Sequence, residues 1–408
     1  RDHEGEERGE FTLEQAFLSP PERVEMTRGD AKAAMNEMEE ETVQDFSSYF
    51  GNVLETLDLS PEEVQQLLTN VESQSGNRSA IIYVKVPPSS PSSEEPANNP
   101  SHSTSTAKQN TLTAMPSASQ PNLQSNVQIT PLSRDSLELL LFTAEGNPVR
   151  IILPGINHAA LLQTVDQFRG DLLTSARRGG DQYLASSQQL YQWLIAPIEA
   201  ELGDNAIDTL MFSMGTGLRT LPIAALHDGE QFLIEKYSIG VVPSLSLINA
   251  QNESLADAQV LSMGVSDFTV LDPLPAVPLE LDKISELWPG RSFLNERFTR
   301  QNLIEQRARS PYQVIHLATH AEFKAGSIDN SYIQLWDEQL RLSELDELGW
   351  QYPAVDLLVL SACSTALGNP EAEMGFAVLA VASVVRSAMA SLWSVNDVGT
   401  LALMGEFY

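Results

Sequence analysis

The sequence contains a single cysteine, Cys363, in 408 residues. No intrachain disulfide can form, so the fold rests on its core alone. Basic residues are scarce: 24 Lys and Arg stand against 55 Asp and Glu, a formal net charge of −31. Phosphates need a basic surface, so this balance argues against nucleic acid and equally against an anionic membrane surface. A basic peptide or protein would be attracted over a distance, although acidity alone also serves solubility. No stretch approaches the roughly 20 uninterrupted apolar residues of a membrane span. The longest candidate, Phe376 to Leu392, is broken by Ser383, Arg386 and Ser387 and reads as a buried helix followed by a buried strand.

What is present is ordinary for a globular chain, with 42% hydrophobic and 19% charged residues. The sequence starts at Arg1 and stops at Tyr408 inside an apolar helical pattern, which reads as a fragment truncated at its carboxyl end. Residues 1–58 read as an acidic arm, helical or partly disordered, with Glu37, Glu39, Glu40 and Glu41 clustered on it. Ser60-Pro61-Glu62-Glu63 then combines a cap, a first-turn proline and a capping-box glutamate, predicting a helix striped by Val64, Leu67, Leu68 and Val71. Ser79 to Val86 is a strand by its β-branched run. From 87 to 135 the composition turns to Ser, Thr, Asn, Gln and Pro, too polar to bury much surface, and predicts a flexible insertion. Strands at Leu137 to Thr143 and Val149 to Leu153 follow, so the insertion falls within one sheet. Helices occupy 155–200, with His158 on a helix surface. Beyond Ile207 apolar strands alternate with helices, including strands at Val260 to Val265, Val314 to Ala318 and Leu357 to Leu360. Helices are expected at Glu280 to Leu287, Gln301 to Arg307, Ser343 to Leu348 and Gly375 to Ser383. That alternation predicts an α/β fold with a mostly parallel sheet covered on both faces.

Two segments share a design. Val314-Ile315-His316-Leu317-Ala318-Thr319-His320 and Val355-Asp356-Leu357-Leu358-Val359-Leu360-Ser361-Ala362-Cys363 are apolar strands that end in polar tips. Carboxyl ends of parallel strands lie along one edge, where ligand sites form. If these strands are neighbours, His320 and Cys363 share a rim. A free thiol titrates near about 8.5 and is mostly protonated at neutrality, so a nucleophilic cysteine needs an adjacent imidazole to take its proton and later protonate the leaving amine. Small residues around Cys363 would let a substrate backbone approach, and backbone N–H groups there and after His320 could hold an oxyanion. A lone cysteine is otherwise a small buried hydrophobe. His316 and His320 are four apart, but a zinc protease helix needs Glu where Leu317 stands, so His316 reads as a core or near-site histidine and no metal is expected.

His316-Leu317-Ala318-Thr319-His320, Leu360-Ser361-Ala362-Cys363-Ser364-Thr365 and Ser391-Leu392-Trp393-Ser394-Val395-Asn396-Asp397 resemble three successive motifs of the CHAT-domain family, which belongs with caspases and separases. Leu218 to Leu226 with Val242-Pro243-Ser244-Leu245-Ser246, and Met263 to Ser266 with Leu274 to Pro278, resemble it in the same order, over roughly residues 130–408. The resemblance implies a caspase-like α/β/α sandwich. In it a pseudo-caspase subdomain, residues 59–255, precedes an active one, residues 256–408. It implies a cysteine endopeptidase of clan CD type with Cys363 as nucleophile, His320 as acid and base, and the N–H groups of Ala321 and Cys363 as oxyanion donors. No cofactor is implied. Its partners would be a protein or peptide substrate and a regulatory protein, and many members of the family are bacterial; the compartment stays open, with the cytoplasm favoured. Two departures stand out: Ala321 follows the histidine where glycine is common, and Ala380-Val381-Ala382-Ser383 also lacks the family's glycine. By its likeness to separase, Asp397 is expected to receive a basic side chain on the amino side of the cut, or else to cap the helix that follows. Arg219 is given no role. A non-catalytic CHAT-like interaction module is the alternative, and a cysteine acyltransferase or other hydrolase a third reading.

Overall fold

The computed structural model describes residues 20–87, 136–247, 255, 257–324, 326–350, 352–361, 364–365, 385–392 and 397–408. Cys363, residues 88–135 and the helix expected at 375–383 lie outside that set.

Six strands form the first sheet: β1 (Glu22–Glu25), β2 (Ser79–Lys85), β3 (Leu137–Thr143), β4 (Val149–Leu153), β5 (Thr209–Met214) and β6 (Ser238–Val241). Their order is β1-β4-β3-β2-β5-β6. Strands β2, β5 and β6 run parallel, while β3 lies antiparallel beside β2, so the chain on either side of residues 88–135 belongs to one sheet. Alternating side chains give this sheet two buried faces. Ile81, Tyr83, Leu140 and Phe142 pack with α1 (Arg28–Phe50) and α2 (Pro61–Ser75). Ile82, Leu141 and Phe212 pack with α3 (His158–Arg178) and α4 (Tyr183–Leu194). Helix α2 starts as its sequence predicts, with Ser60 accepting from the Glu63 N–H and Glu63 reaching back to the Ser60 N–H. Two short helices, α5 (Glu199–Asp204) and α6 (Leu233–Lys236), lead into β5 and β6.

The second half contains β7 (Val260–Gly264), α7 (Val277–Leu287), β8 (Gly290–Leu294), α8 (Arg300–Arg309), β9 (Val314–Ala318), β10 (Ala321–Phe323), β11 (Tyr332–Gln334), β12 (Gln339–Arg341), β13 (Leu357–Ser361), β14 (Ser364–Thr365), β15 (Ser387–Ala390) and α9 (Asp397–Phe407). Five of these strands make a sheet ordered β15-β13-β9-β7-β8, parallel throughout. Leu261, Ile315, Leu317 and Leu358 face a core shared with Leu303 of α8 and with Phe46 and Tyr49 of α1. On the opposite face Val260 and Val314 meet Ile284 of α7, and Ala318 meets Val277 and Leu281. The architecture is α/β with a parallel central sheet between helical layers, consistent with a caspase-like α/β/α sandwich. A four-stranded accessory sheet, β12-β11-β10-β14, stands beyond the second sheet's carboxyl edge.

Several elements depart from the sequence expectation. Glu22–Glu25 in the expected arm is a strand paired with β4, and β6, β10 and β12 are short strands that were not foreseen. Two further departures have clear physical reasons. The helix expected over Ser343 to Leu348 is a pair of 3-10 turns, Leu342–Glu344 and Asp346–Leu348. Leu342, Leu345 and Leu348 recur every third residue and are all buried, a spacing that stacks them on one line of a 3-10 turn and would spread them around an α-helix. Strand β8 was not foreseen, because Gly290-Arg291-Ser292 is exposed at the sheet's edge and carries no apolar pattern.

Helix α1 spans both halves. Its amino-terminal turns place Ala31, Met35 and Met38 in the first sheet's core, and its last turns place Phe46 and Tyr49 in the second sheet's core. Tyr49 donates its hydroxyl to the Lys324 carbonyl at 3.1 Å. Between these ends Glu39, in the acid run that reads as solvated, is 1% exposed. Its carboxylate accepts from Tyr83 Oη (2.9 Å), from the N–H groups of Leu245 and Ser246 (2.9 Å each), and from the hydroxyls of Ser244 and Ser246. A buried carboxylate is tolerated only with such a set of donors. The Val242 to Ser246 segment therefore owes its shape to a residue two hundred positions earlier. Replacing Glu39 with Ala strands these donors and should destabilise the protein by on the order of 3 kcal/mol in denaturant titration.

Candidate active site

Three neighbouring parallel strands end level with one another. Ala318 of β9 pairs with Gly264 of β7 on one side and Ser361 of β13 on the other. Past this edge the chains leaving β9 and β13 pair again in parallel, Glu322 with Ser364 and Phe323 with Thr365. His320 sits between these two pairings on its own chain. Cys363 falls in the matching interval of sequence, after Ser361 and before Ser364, and lies outside the described residues.

His320 is held from several directions. Thr319, fully buried, donates its N–H to the Ser361 carbonyl (3.2 Å) and its hydroxyl to the Gln334 carbonyl (2.7 Å). The His320 carbonyl accepts from the Gln334 N–H at 2.8 Å. The half-buried imidazole lies against Phe268, with ring centroids 4.7 Å apart. Its Nε2 is 2.8 Å from the Asp272 carbonyl oxygen. A carbonyl can only accept, so Nε2 carries a proton, and in the neutral ring Nδ1 is left as the base.

Phe268 and Asp272 belong to the loop that leaves β7. That loop is closed at its root by the Leu274 N–H on the Ser266 carbonyl (2.9 Å) and anchored to β9 by the Val265 N–H on the Ala318 carbonyl (3.0 Å). Gly264 sits where α7 presses on the sheet: a Cβ there would lie 2.6 Å from Val277 Cγ1 and 2.9 Å from the Ala318 oxygen. The sequence pointed to this loop only through the family motifs around it. The contacts of Asp272 and Gln334 with His320 run through their backbone atoms, which leave no side-chain signature.

The description CHAT domain matches residues 184–408, more than half the chain. The chain belongs to the CHAT-domain family. That family is caspase- and separase-like and is associated with cysteine peptidase-like proteins. No curated protein matches the chain. In this CHAT-domain protein the match begins within α4 and takes in the whole second sheet and both strand tips.

Ala321 opens β10 and is 2% exposed. Its backbone is not in the left-handed region, so its Cβ packs into the second core without strain where the family often has glycine. His316 lies on the α7 face of the sheet, fully buried. Its Nδ1 is 3.0 Å from Tyr408 Oη, and its Nε2 is 3.1 Å from Glu280 Oε1, off the line of a well-formed hydrogen bond. Burial, with Glu280 nearby, pushes the Tyr408 phenol well above its usual range, so its proton stays in place. His316 and His320 thus have separate partners, and among the described residues no group of three or more His, Cys, Asp or Glu could hold a metal.

Asp397 is the first residue of α9; its side chain lies outside the described residues. Arg219 pairs with Asp45 at 2.6 Å and covers the Phe46 ring, tying the first half to α1. A cleft of about 110 Å³ opens at the carboxyl edge of β2 and β5, lined by Lys85, His158, Ser213 and Arg219 among others. Lys85 there pairs with Glu37 as Arg219 does with Asp45. This cleft contains neither His320 nor its neighbours, and the strand tips carry the chemistry better. Among the described residues no helix is long and apolar enough to cross a membrane.

The geometry sets a spectroscopic expectation. The His320 Nε2 proton, held to a carbonyl, should give a downfield signal in slow exchange near neutral pH, assigned by its loss in His320→Gln. Rapid exchange in the wild-type protein would contradict the Asp272 contact.

Proposed function

We propose that this protein is a cysteine endopeptidase working through a dyad of Cys363 and His320. The observation that carries the proposal is the double pairing of the two chains, Ala318 with Ser361 and Glu322 with Ser364, on either side of His320 and of the sequence interval holding Cys363. The proton on His320 Nε2 supports it too, because that tautomer keeps Nδ1 free to act as base.

In this reading Nδ1 accepts the Cys363 proton and the thiolate attacks the scissile carbonyl carbon of a bound peptide. Charge builds on the carbonyl oxygen, where the N–H groups of Cys363 and Ala321 receive it. The imidazolium then protonates the leaving amine as the C–N bond breaks, and a thioester joins the substrate to Sγ. Water, deprotonated by the same imidazole, releases the carboxylate product and restores the thiol. The Asp272 carbonyl steadies the imidazolium throughout, since it accepts from Nε2 in both protonation states. Neither metal nor organic cofactor takes part in these steps. Asp397 would select Arg or Lys before the cut by charge, with a helix-capping role as its alternative. The acidic surface would favour a basic protein substrate, with a regulatory protein as second partner.

Because Cys363 is the chain's one cysteine, iodoacetamide reports on it directly. Its alkylation should follow an apparent pKa below about 8.5 in the wild-type protein and return toward that value in His320→Ala. Peptide-library cleavage should vanish in Cys363→Ala and fall about a hundred- to ten-thousandfold in His320→Ala. Cleavage that survives Cys363→Ala would overturn the proposal. Alkylation indifferent to His320, with no peptide cut, would support a non-catalytic interaction module instead. An Asp397→Ala protein with unchanged preference at the cut would remove the basic pocket.

A further inference from the structure

The strand beside β7 ends at Leu294, and the next residue, Asn295, has φ of 52°. Only one other non-glycine residue in the described chain shares a positive φ, Ala206. Asparagine tolerates that conformation better than most residues, but it still costs energy that something must offset. Here the twist aims the side chain across the end of β7. Asn295 Oδ1 accepts from the Ser266 N–H at 2.8 Å, and its Nδ2 donates to Ser266 Oγ and Asp267 Oδ2 at 3.1 Å each. Ser266 is 6% exposed and donates its own hydroxyl to Asp267 at 3.0 Å. Asn295 therefore grips the first turn of the loop that carries Phe268 against the His320 ring and the Asp272 carbonyl onto its Nε2.

From this we infer that Asn295 is a positioning residue for His320, acting through the loop at 266–274. The sheet order places the parts in a row: β8 supplies Asn295, β7 the loop, β9 the histidine and β13 the chain to Cys363. Each link touches the next, so Asn295 governs the imidazole without contacting it. The consequence for catalysis rests on the dyad proposed above; the control of His320 does not.

The test compares wild type, Asn295→Gly, Asn295→Asp and His320→Ala. Glycine accepts the positive φ and removes only the side chain, while aspartate keeps the acceptor for the Ser266 N–H. In Asn295→Gly the His320 Nε2 proton should exchange with solvent roughly fivefold faster, the loss expected for one typical hydrogen bond. Amide exchange along β9 should stay unchanged, which separates positioning from general loosening. Asn295→Asp, which sets a second carboxylate against Asp267, should speed the exchange at least as much as Asn295→Gly. Cys363 alkylation at pH 7 should slow by a similar factor in Asn295→Gly. If that protein does not fold, Asp267→Ala at the exposed loop position should show the same direction with a smaller size. Unaltered Nε2–H exchange in a folded variant overturns the inference. Alkylation indifferent to His320→Ala removes the dyad and leaves Asn295 to be judged on exchange alone.

Discussion

The site depends on one constraint, the parallel register that sets Ala318 level with Ser361. In a parallel pair the backbone hydrogen bonds fix both the spacing and the direction in which two chains leave the sheet. A slip of one residue would swap the faces of β13, turning Leu358 and Leu360 out of the core they share with Phe46 and Leu303 and sending Val359 into it. The apolar faces thus hold the register, and the register determines where the tips emerge. The accessory pairing of β10 with β14 repeats the constraint past the edge, so the chains are tied on both sides of His320. A residue on a free loop would have no such restriction on where its ring points.

Much of this was legible in the sequence because it depends on patterning. The runs Val314 to Ala318 and Leu357 to Leu360 are apolar on both faces, as a central parallel strand must be, and each stops at a polar tip. Those two facts are enough to put His320 at a carboxyl edge and to suggest Cys363 beside it. Other features left no trace for a physical reason. The Asp272 contact is made by a carbonyl that every residue possesses, and the loop's grip depends on Asn295, whose role comes from a backbone angle. Leu342, Leu345 and Leu348 carry an apolar pattern that fits two kinds of turn, and burial chose the tighter one. Strand β8 lies at an edge and had no reason to be apolar.

Charge was the least reliable guide. A run of glutamates reads as solvated because each carboxylate alone strongly prefers water. Yet Glu39 is enclosed by five donors from Tyr83 and the Ser244 to Ser246 turn, while Glu40 and Glu41 beside it point outward. The helix turns by about 100° per residue, so adjacent acids need not share an environment. What distinguishes Glu39 is its face, shared with Met35 and Phe46 at helical spacing, and the donors waiting there come from distant sequence. Through this helix the two sheets share a strut, with Met35 in one core and Phe46 in the other.

The two histidines of β9 show how position within one strand decides chemistry. His316 sits in mid-strand, level with Ser262 and Val359. Sheet and helix exclude water from it, both its ring nitrogens meet buried partners, and it serves as a polar pin between the sheet, α7 and the Tyr408 end of α9. His320 lies four residues on, one turn of chain past the edge, where the same side chain is half exposed and one nitrogen is tied to a carbonyl. The other nitrogen faces no partner among the described residues. A residue type therefore predicts little by itself. The distance from the last paired residue of the strand decides whether an imidazole is sealed in the core or reaches the edge half exposed.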